Sequence, residues 1–299
     1  MIKSNFHSHT NFCDGKSSPE KMVQSAIEKN FDIFGFSSHA TFPYKSSWHL
    51  NPEKYNEYIN EIERLKSVYK DKIEIYRGFE ADFIPLVSTP DREHYQQFNP
   101  DYIIGSVHFV LNLDCPEKKG FPQEDSDIPV NCFSIDSFTE EVEQGIKLLF
   151  DGDGKKASQS YFAIVREMVS SANFDVIGHL DILRKRNGTL KFFDENADWY
   201  KNELNATAKI IAQSGKIVEI NYGGIARGSL NDTYPSLDFL KILNKFDIPI
   251  TINSDAHNFD HIDTGYEFAI KNAISAGYSE TQYFSNGKWH SQKIENVKS

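Results

Sequence analysis

Apolar residues along the chain recur in short β-like runs, which alternate with longer segments of helical periodicity. The β-like runs are rich in β-branched and aromatic residues and are bounded by polar or glycine-containing turns, as is typical of strands buried in a sheet. The pattern predicts strands at residues 3–7, 32–37, 73–78, 102–106, 176–178, 217–221 and 248–253.

The segments between these strands have the signals of helices. In residues 52–69, apolar side chains recur close to every 3.6 residues, the period of an α-helix. A helix start is indicated by Ser18 as N-cap, Pro19 at the first position and Glu20 in the first turn. The predicted helices are 19–30, 52–69, 137–149, 159–171, 196–213, 236–244 and a last one after Thr264.

Histidines and carboxylates collect at the ends of the predicted strands. Six of the ten histidines follow β-like runs, and a glutamate ends the run KIEIYRGFE. Imidazole and carboxylate are the usual ligands of zinc, manganese and iron, and these groups are too many for one ion. We therefore predict an enzyme with a multinuclear metal site. The candidate ligands are His7, His9, Asp14, His39, Glu80, His108, His179, Asp255 and His257.

Spacing within two motifs supports metal binding. Residues i and i+2 of a strand point to the same face, so His7 and His9 can hold one ion, and Asp255 and His257 repeat that spacing. Taken singly, each group has a plainer interpretation, because Ser-Asp favours turns and N-caps and a lone histidine is more often a satisfied core or loop residue. Their shared position at strand ends favours the metal site. We expect Glu80 to bridge two ions, since a carboxylate can span two cations.

The distribution of these residues also bears on the fold. Alternating strands and helices favour a parallel sheet, either open or closed. In a closed barrel, strand ends from the whole chain converge on one mouth, whereas an open sheet would leave some of the ligands far from its crevice. We therefore predict an α/β barrel of about seven strands.

Two segments depart from the alternation. Residues 111–136 are rich in Pro, Gly, Asp and Lys and predict a long loop insertion, which is either a lid over the mouth or a solvated surface loop. The polar and aromatic segment that begins at Gly277 predicts a closing strand or a hairpin that packs on the barrel.

Composition and charge narrow the class of function. The chain has 299 residues, 39% hydrophobic and 25% charged, which suits one barrel-sized domain or two small ones. A net charge of −11 argues against nucleic-acid binding, although a small anionic substrate beside bound cations is compatible with it. Three cysteines without a CxxC motif, and the lack of signal-like or membrane-length apolar runs, predict a cytoplasmic protein without a membrane partner. The oligomeric state is left open.

The motifs HSH with a following Asp, SSHA, GFEAD, GSVH, GHLD and SDAH together resemble those of the polymerase and histidinol phosphatase (PHP) family, in order and over essentially the whole chain. The resemblance implies a distorted (β/α)7 TIM-like barrel, a single domain over residues 1–299, with two or three divalent ions at the C-terminal ends of the strands. The implied ligand sets are His7, His9, Glu80 and Asp255; Glu80, His108 and His179; and Asp14, His39 and His257. Zinc, manganese and iron all suit such ligands, so the metal is left open.

Within the family, the segments 178–186 and 219–236 are similar to the histidinol-phosphatase branch. That branch implies hydrolysis of L-histidinol phosphate to L-histidinol and phosphate in histidine biosynthesis, by attack of a metal-bound hydroxide on phosphorus. Glu80, Asp255 and His257 are then the catalytic candidates. Arg184 and Arg227 are expected to bind substrate, because guanidinium groups match phosphate, or else to be surface arginines.

Two other functions stay open, namely phosphoesterase activity on nucleotides or other small phosphate esters, and a metal-binding module without turnover. The remaining histidines lie in polar contexts and are expected to bind no metal, with a surface position for His49. Trp48, Tyr161 and Tyr222 are candidates for contact with the rest of a substrate.

Overall fold

The computed structural model describes residues 1–114, 128 and 131–295. The strands are β1 (Ser4–Asn5), β2 (Ile33–Ala40), β3 (Glu74–Asp82), β4 (Tyr102–Ser106), β5 (Phe109–Val110), β6 (Phe133–Ser134), β7 (Val176–Ile177), β8 (Ile217–Asn221), β9 (Ile250–Asn253), β10 (Glu280–Ser285) and β11 (Lys288–Lys293). The α-helices are α1 (Pro19–Glu28), α2 (Tyr55–Tyr69), α3 (Arg92–Tyr95), α4 (Thr139–Phe150), α5 (Gly154–Ser171), α6 (Arg184–Leu190), α7 (Asp198–Ser214), α8 (Gly223–Ala226), α9 (Leu237–Lys245) and α10 (Tyr266–Ser275). Short 3-10 helices lie at Pro52–Lys54, Gln96–Phe98 and Phe259–His261.

Seven parallel strands form a nearly closed barrel, in the order β1-β2-β3-β4-β7-β8-β9. All seven coincide with predicted strands, so the predicted (β/α)7 barrel is confirmed. The strands are almost entirely buried, as expected where helices cover the outside of a parallel sheet and side chains fill its inside.

The helices agree with the predicted ones with two kinds of exception. One helix begins earlier than predicted, and three helices are too short to have been predicted. Ser18 caps α1 through a hydrogen bond from the Lys21 amide, as predicted. Helix α5 begins earlier than expected, at Gly154, because the side chain of Asp153 accepts from the Lys156 amide and caps it there. Helices α3, α6 and α8 were not predicted, since elements of four to seven residues are too short to show a helical period.

Side-chain amides close the barrel between β1 and β9. The Phe6 amide donates to Asn253 Oδ1 at 2.8 Å, and the Ser254 amide donates to Asn5 Oδ1 at 2.7 Å. These two hydrogen bonds take the place of the backbone hydrogen bonds that join the other neighbouring strands of the barrel. Further along, the His9 amide donates to the carbonyl of residue 256 at 2.9 Å. The first and last strands are therefore joined at the end that carries the predicted ligands.

A C-terminal hairpin seals the opposite end of the barrel. Strands β10 and β11 pair antiparallel over residues 280–293, which confirms the predicted hairpin. Phe284 and Trp289 pack edge-on against one another, and Trp289 contacts the ring of Phe6. Phe284 joins Ile33, Tyr102 and other strand residues in one buried apolar cluster. The hairpin thus covers the apolar cluster at this end of the barrel.

The predicted insertion at 111–136 lies partly outside the described residues, which lack 115–127 and 129–130. On either side of that gap, β5 and β6 form a small antiparallel pair, and the chain then passes Asp136 and enters α4 at the barrel mouth. Among the described residues, no helix is long and apolar enough to cross a membrane.

We predict that Asn253→Ala lowers the free energy of unfolding. It removes the acceptor for the Phe6 amide and a donor to Glu219, and a buried polar group left unpaired costs about 1–3 kcal/mol. Chemical denaturation of the chelator-treated protein measures this effect without a contribution from metal binding. The matched control is Asn205→Ala on the exposed face of α7, which should change stability by less than about 0.5 kcal/mol. Equal losses in the two variants would contradict the proposed closure.

Candidate metal centre

The structure brings the nine predicted ligands together at the C-terminal mouth of the barrel. Each comes from the end of a barrel strand or from the loop that follows it. Parallel strands make this convergence possible, because their carboxyl ends all open on one face. All but Asp14 and His257 are buried.

Glu80 lies at the centre of the cluster. Its Oε2 is 3.0 Å from His7 Nε2 and 2.8 Å from His39 Nδ1. Its Oε1 is 2.7 Å from His179 Nε2 and 3.5 Å from His108 Nε2. Glu80 and His39 are direct partners in the β2–β3 ladder, so their side chains leave the sheet on the same face. The two carboxylate oxygens thus face different imidazoles, as the predicted bridging role requires.

The remaining ligand candidates form a second group on the open side. His9 Nε2 lies 3.2 Å from Asp255 Oδ1. The Asp14 carboxylate lies 3.1 Å from His257 Nε2 and 3.6 Å from His39 Nε2. The imidazole ring of His9 stacks against those of His39 and His257 at a centroid distance of 4.1 Å in each case, and the His39 and His257 centroids are 5.8 Å apart. These contacts place the SDAH and HSH motifs in one site although they are at opposite ends of the chain.

Several of these atoms are buried without a hydrogen bond. They are His7 Nε2, His9 Nε2, His39 Nδ1 and Glu80 Oε2. Although they approach neighbouring ligand atoms closely, the angles of those approaches are not those of hydrogen bonds. Buried polar atoms are nearly always paired, so lone pairs that converge without donors are what a site for divalent cations requires. The donor set therefore fits the metal ions that the sequence predicts.

Three overlapping groups of ligand atoms each lie within 4.8 Å of one another. The groups are His9, Asp14, His39 and His257; His7, His9 and Asp255; and His39, Glu80 and His108. They share His9 and His39, so the described residues form one continuous cluster. The division into three ligand sets that the family resemblance implies stays a prediction.

Glu219, which was not among the predicted site residues, orients two of the ligands. Its carboxylate lies 2.8 Å from His7 Nδ1 and accepts the His179 amide at 2.7 Å. An acceptor at Nδ1 leaves the Nε2 lone pair of His7 free to face Glu80. The signal in the sequence was a glutamate in the middle of a strand predicted to be buried, where a charge needs a partner.

Charge in the cluster favours cations. Burial opposes the charged form of His7, but Glu219, Glu80 and Asp255 outweigh it and raise the pKa of His7 well above its usual value. His9 behaves oppositely, since burial and its neighbouring imidazoles hold its pKa well below the usual value. The site thus attracts positive charge on its carboxylate side and keeps His9 neutral, as a ligand must be.

Above the cluster, a cavity of about 540 Å³ opens to solvent. Its walls combine acidic, basic and aromatic side chains, which suits a small polar substrate. The lining residues include Asp14, His39, Trp48, His108, Asp136, Ser137, Phe138, Glu141, His179, Lys185, Arg186, Arg227, Asp255 and His257. Tyr161 and Tyr222 instead are fully buried and donate to main-chain carbonyls.

The two arginines predicted to contact substrate have different surroundings. Arg227 lines the cavity, where Nη2 donates to Asp255 Oδ2 at 2.9 Å and Nη1 to the Asp255 carbonyl at 2.8 Å. Arg184 is not among the described residues that line the cavity. It is buried and donates to Glu195 and Asp232 at 2.8 Å each. Lys185 and Arg186, which follow Arg184 in the chain, face the cavity instead.

The expected surface position of His49 is wrong. Its side chain is 4% exposed and lies 2.5 Å from Asp82 Oδ2. The polar sequence around it concealed this, because the loop that carries it folds inward over the cluster, with the Trp48 ring tilted by 32° against the His49 ring at a centroid distance of 3.7 Å.

Residues 5–223 match the family model of the PHP domain. The chain belongs to the PHP domain family. A histidinol-phosphatase of Lactococcus lactis subsp. lactis is 25% identical, covering 96% of each chain. A histidinol-phosphatase of Bacillus subtilis is 24% identical over 89% of this chain and 98% of its own length. The fold is shared with the crystal structure of histidinol phosphate phosphatase from Lactococcus lactis complexed with zinc, L-histidinol and phosphate, with a TM-score of 0.69, 21% identity and coverage of 97% of this chain and 99% of that one.

We predict that Glu80→Ala reduces the divalent metal content of this PHP domain. Both of its carboxylate oxygens face imidazoles, so its removal withdraws ligand atoms from more than one position. Metal content after dialysis, measured by mass spectrometry, tests this. Glu57→Ala, an exposed position on α2, is the control and should retain the wild-type content. Unchanged metal content in Glu80→Ala would contradict the bridging role.

We predict that Arg184→Ala mainly destabilises the fold. Its side chain is 8% exposed and lies 3.7 Å from the fully buried carboxylate of Asp181, besides pairing with the more exposed Glu195 and Asp232, and removing one partner of a buried ion pair costs about 3–5 kcal/mol. Urea denaturation measures the loss. The exposed Arg64, which pairs with Glu61 at the surface, provides the control variant Arg64→Ala, with an expected loss below about 1 kcal/mol. A large rise in KM with full stability would restore Arg184 as a substrate contact.

Proposed function

We propose that this PHP domain is a metal-dependent phosphomonoesterase that hydrolyses L-histidinol phosphate in histidine biosynthesis. The observation that carries the proposal is a cluster of imidazole and carboxylate atoms, several buried and unpaired, on the floor of a cavity of about 540 Å³. The substrate follows from the relatives named histidinol-phosphatase, which align with this chain over nearly its whole length.

We propose two or three divalent ions, of zinc, manganese or iron, as cofactors. The first would be held by His7, His9, Glu80 and Asp255; the second by Glu80, His108 and His179; and the third by Asp14, His39 and His257. Such ions lower the pKa of a water ligand and neutralise charge on phosphoryl oxygens. The zinc in the complex of the Lactococcus lactis protein supports this choice of cofactor.

In this proposal, Asp255 stays ionised, as a metal ligand must, and does not supply the proton to the leaving alkoxide. Burial opposes ionisation of Asp255, but the charges of Arg227 and His7 hold the pKa of its carboxyl well below the usual value, so it is a poor acid. His257 lines the cavity, and as a ligand of the proposed third ion it would help to place the positive charge that stabilises the leaving alkoxide.

Basic side chains on two walls would hold the phosphate. Arg227 is 24% exposed and already ordered by its contacts with Asp255, so its guanidinium is positioned before substrate arrives. Lys185 and Arg186 approach from the first turn of α6. These two take the role that the sequence suggested for Arg184.

Acidic and aromatic groups on the cavity wall would receive the organic part of the substrate. Histidinol carries an ammonium group and an imidazole. Asp136 and Glu141 line the cavity beside the aromatic rings of Trp48 and Phe138, and Phe138 is 76% exposed. We assign the carboxylates to the ammonium group and the aromatic rings to the imidazole.

We further propose that residues 1–299 act as one domain and that the protein works in the cytoplasm. The seven-stranded barrel takes its strands from residues 4–253, and the hairpin that seals it follows directly. Cys13 and Cys132 are free thiols, which supports a reducing compartment.

The deciding experiment is phosphate release from L-histidinol phosphate, compared with a mononucleotide and an aryl phosphate, with zinc or manganese supplied. We expect a kcat/KM for histidinol phosphate at least about tenfold above the others, because only this substrate uses both the basic and the acidic walls, and a tenfold preference needs only about 1.4 kcal/mol. A chelator should abolish the activity. Better turnover of the nucleotide would move the protein to another phosphoesterase function, and no turnover with metal bound would favour a binding module.

A further inference from the structure

We infer that His49, acting through Asp82, positions His108 in the metal centre. The inference rests on the metal site of the proposed function and adds two residues to it, neither of which lies among the predicted ligands. His49 is a positioning residue, since its hydrogen bonding to the cluster runs through the carboxylate of Asp82.

The carboxylate of Asp82 joins the two imidazoles. Its Oδ1 lies 2.6 Å from His108 Nδ1, and its Oδ2 lies 2.5 Å from His49 Nε2. On the far side of His49, Ser46 Oγ lies 2.5 Å from Nδ1. All four side chains come from neighbouring strands or loops, and Asp82, His49 and His108 are at most 4% exposed. They form a continuous hydrogen-bonded chain that ends at a predicted metal ligand.

The hydrogen bonds of this series have only one consistent set of donors and acceptors. Each oxygen of the Asp82 carboxylate faces one ring nitrogen, with Oδ1 at His108 Nδ1 and Oδ2 at His49 Nε2. An ionised carboxylate only accepts hydrogen bonds, so both rings donate to it. His49 then carries its proton on Nε2 and accepts the Ser46 hydroxyl at Nδ1. His108 carries its proton on Nδ1, which leaves the Nε2 lone pair facing Glu80.

Packing holds His49 in this chain. The indole of Trp48 lies 3.7 Å from the His49 ring centroid, and Phe109 stacks at 6.2 Å. The same indole lines the cavity and meets the ring of His108 edge-on at 5.3 Å. The loop between β2 and α2 therefore supplies a wall of the cavity and, through His49, fixes the orientation of a ligand.

A carboxylate behind a ligating histidine fixes the tautomer and ring orientation, and losing such a partner typically costs about 10–100-fold in metal affinity. Asp82 is that partner here. His49 completes it, because without His49 one buried oxygen of Asp82 has no donor and the carboxylate is free to turn away from His108. The hydrogen bond from His49 should thus account for part of the metal affinity.

The test compares His49→Phe with His49→Gln. Phenylalanine keeps a ring in contact with Trp48 but donates no hydrogen bond, whereas the glutamine amide can still donate to Asp82. Zinc affinity of the full chain is measured by competition with a chromogenic chelator. We expect at least about tenfold weaker binding at one site in His49→Phe, and affinity within a few-fold of wild type in His49→Gln. His290→Phe, on the hairpin at the opposite end of the barrel, is the control and should bind zinc as wild type does.

If His49→Phe does not fold, Asp82→Asn is used, because its amide cannot accept from both rings and should weaken zinc binding to a similar extent. Wild-type zinc affinity in folded His49→Phe, even with a lower melting temperature, would show that the hydrogen bond from His49 contributes only to stability, and it would overturn the inference. A wild-type protein that binds no zinc would overturn it together with the ligand assignment. Zinc binding without hydrolysis of histidinol phosphate would refute the proposed function alone, since the affinity comparison needs no substrate.

Discussion

The buried carboxylate of Glu219 joins the closure of the barrel to the geometry of its mouth. It accepts hydrogen bonds from the side-chain amides of Asn221 and Asn253 and from the main-chain amide of His179, and it contacts His7 Nδ1. These donors occupy its acceptor positions. A charge buried in a barrel is tolerated only when it is paired in this way. Asn253, which joins β9 to β1, is thereby hydrogen-bonded to Glu219, which orients His7.

A site built in this way is stabilised by the ions it binds. Converging imidazole and carboxylate atoms without donors are unfavourable in the absence of a cation, because each buried unpaired group costs about 1–3 kcal/mol. A ligand that binds only the folded state returns stability in proportion to the logarithm of its concentration. The fold accepts this arrangement because the cluster lies on an otherwise well-packed core, which the hairpin seals at the far end. The metal centre is thus the part of the molecule where packing and function oppose each other.

The sequence predicts the seven strands and the residues that gather at their ends, because both depend on local patterns. Apolar runs identify buried strands, and a histidine after such a run must lie near the mouth of a parallel barrel. The residues that orient the ligands are harder to find, since Glu219, Asp82 and His49 show their roles only through contacts with distant parts of the chain. In the sequence they appear as acidic residues within strands and as a histidine in a polar loop, and neither pattern identifies the distant side chain that each one contacts.

The three consecutive basic residues at the start of α6 show that the sequence also does not give the direction of individual side chains. Successive side chains of a helix point about 100° apart, so a run of Arg184, Lys185 and Arg186 must send its members in different directions. Sequence locates the run beside the mouth but not the rotation of the helix. In the structure, the acidic partners of Arg184 draw it into the core, and Lys185 and Arg186 are left facing the cavity.

The charge distribution in the cavity suits a substrate with both signs of charge. Lys185 donates to Asp136 at 2.8 Å, and Arg186 donates to the carbonyl of Ser137 on the same wall, so basic and acidic groups alternate around the rim instead of forming separate patches. A purely anionic ester would bring no positive charge to the carboxylates of Asp136 and Glu141. A phosphate ester that also bears an ammonium group can satisfy both, with its phosphate towards the cluster. In a chain with a net charge of −11, selectivity for a small phosphate ester therefore depends on the local arrangement of charges at the mouth, not on the overall field of the protein.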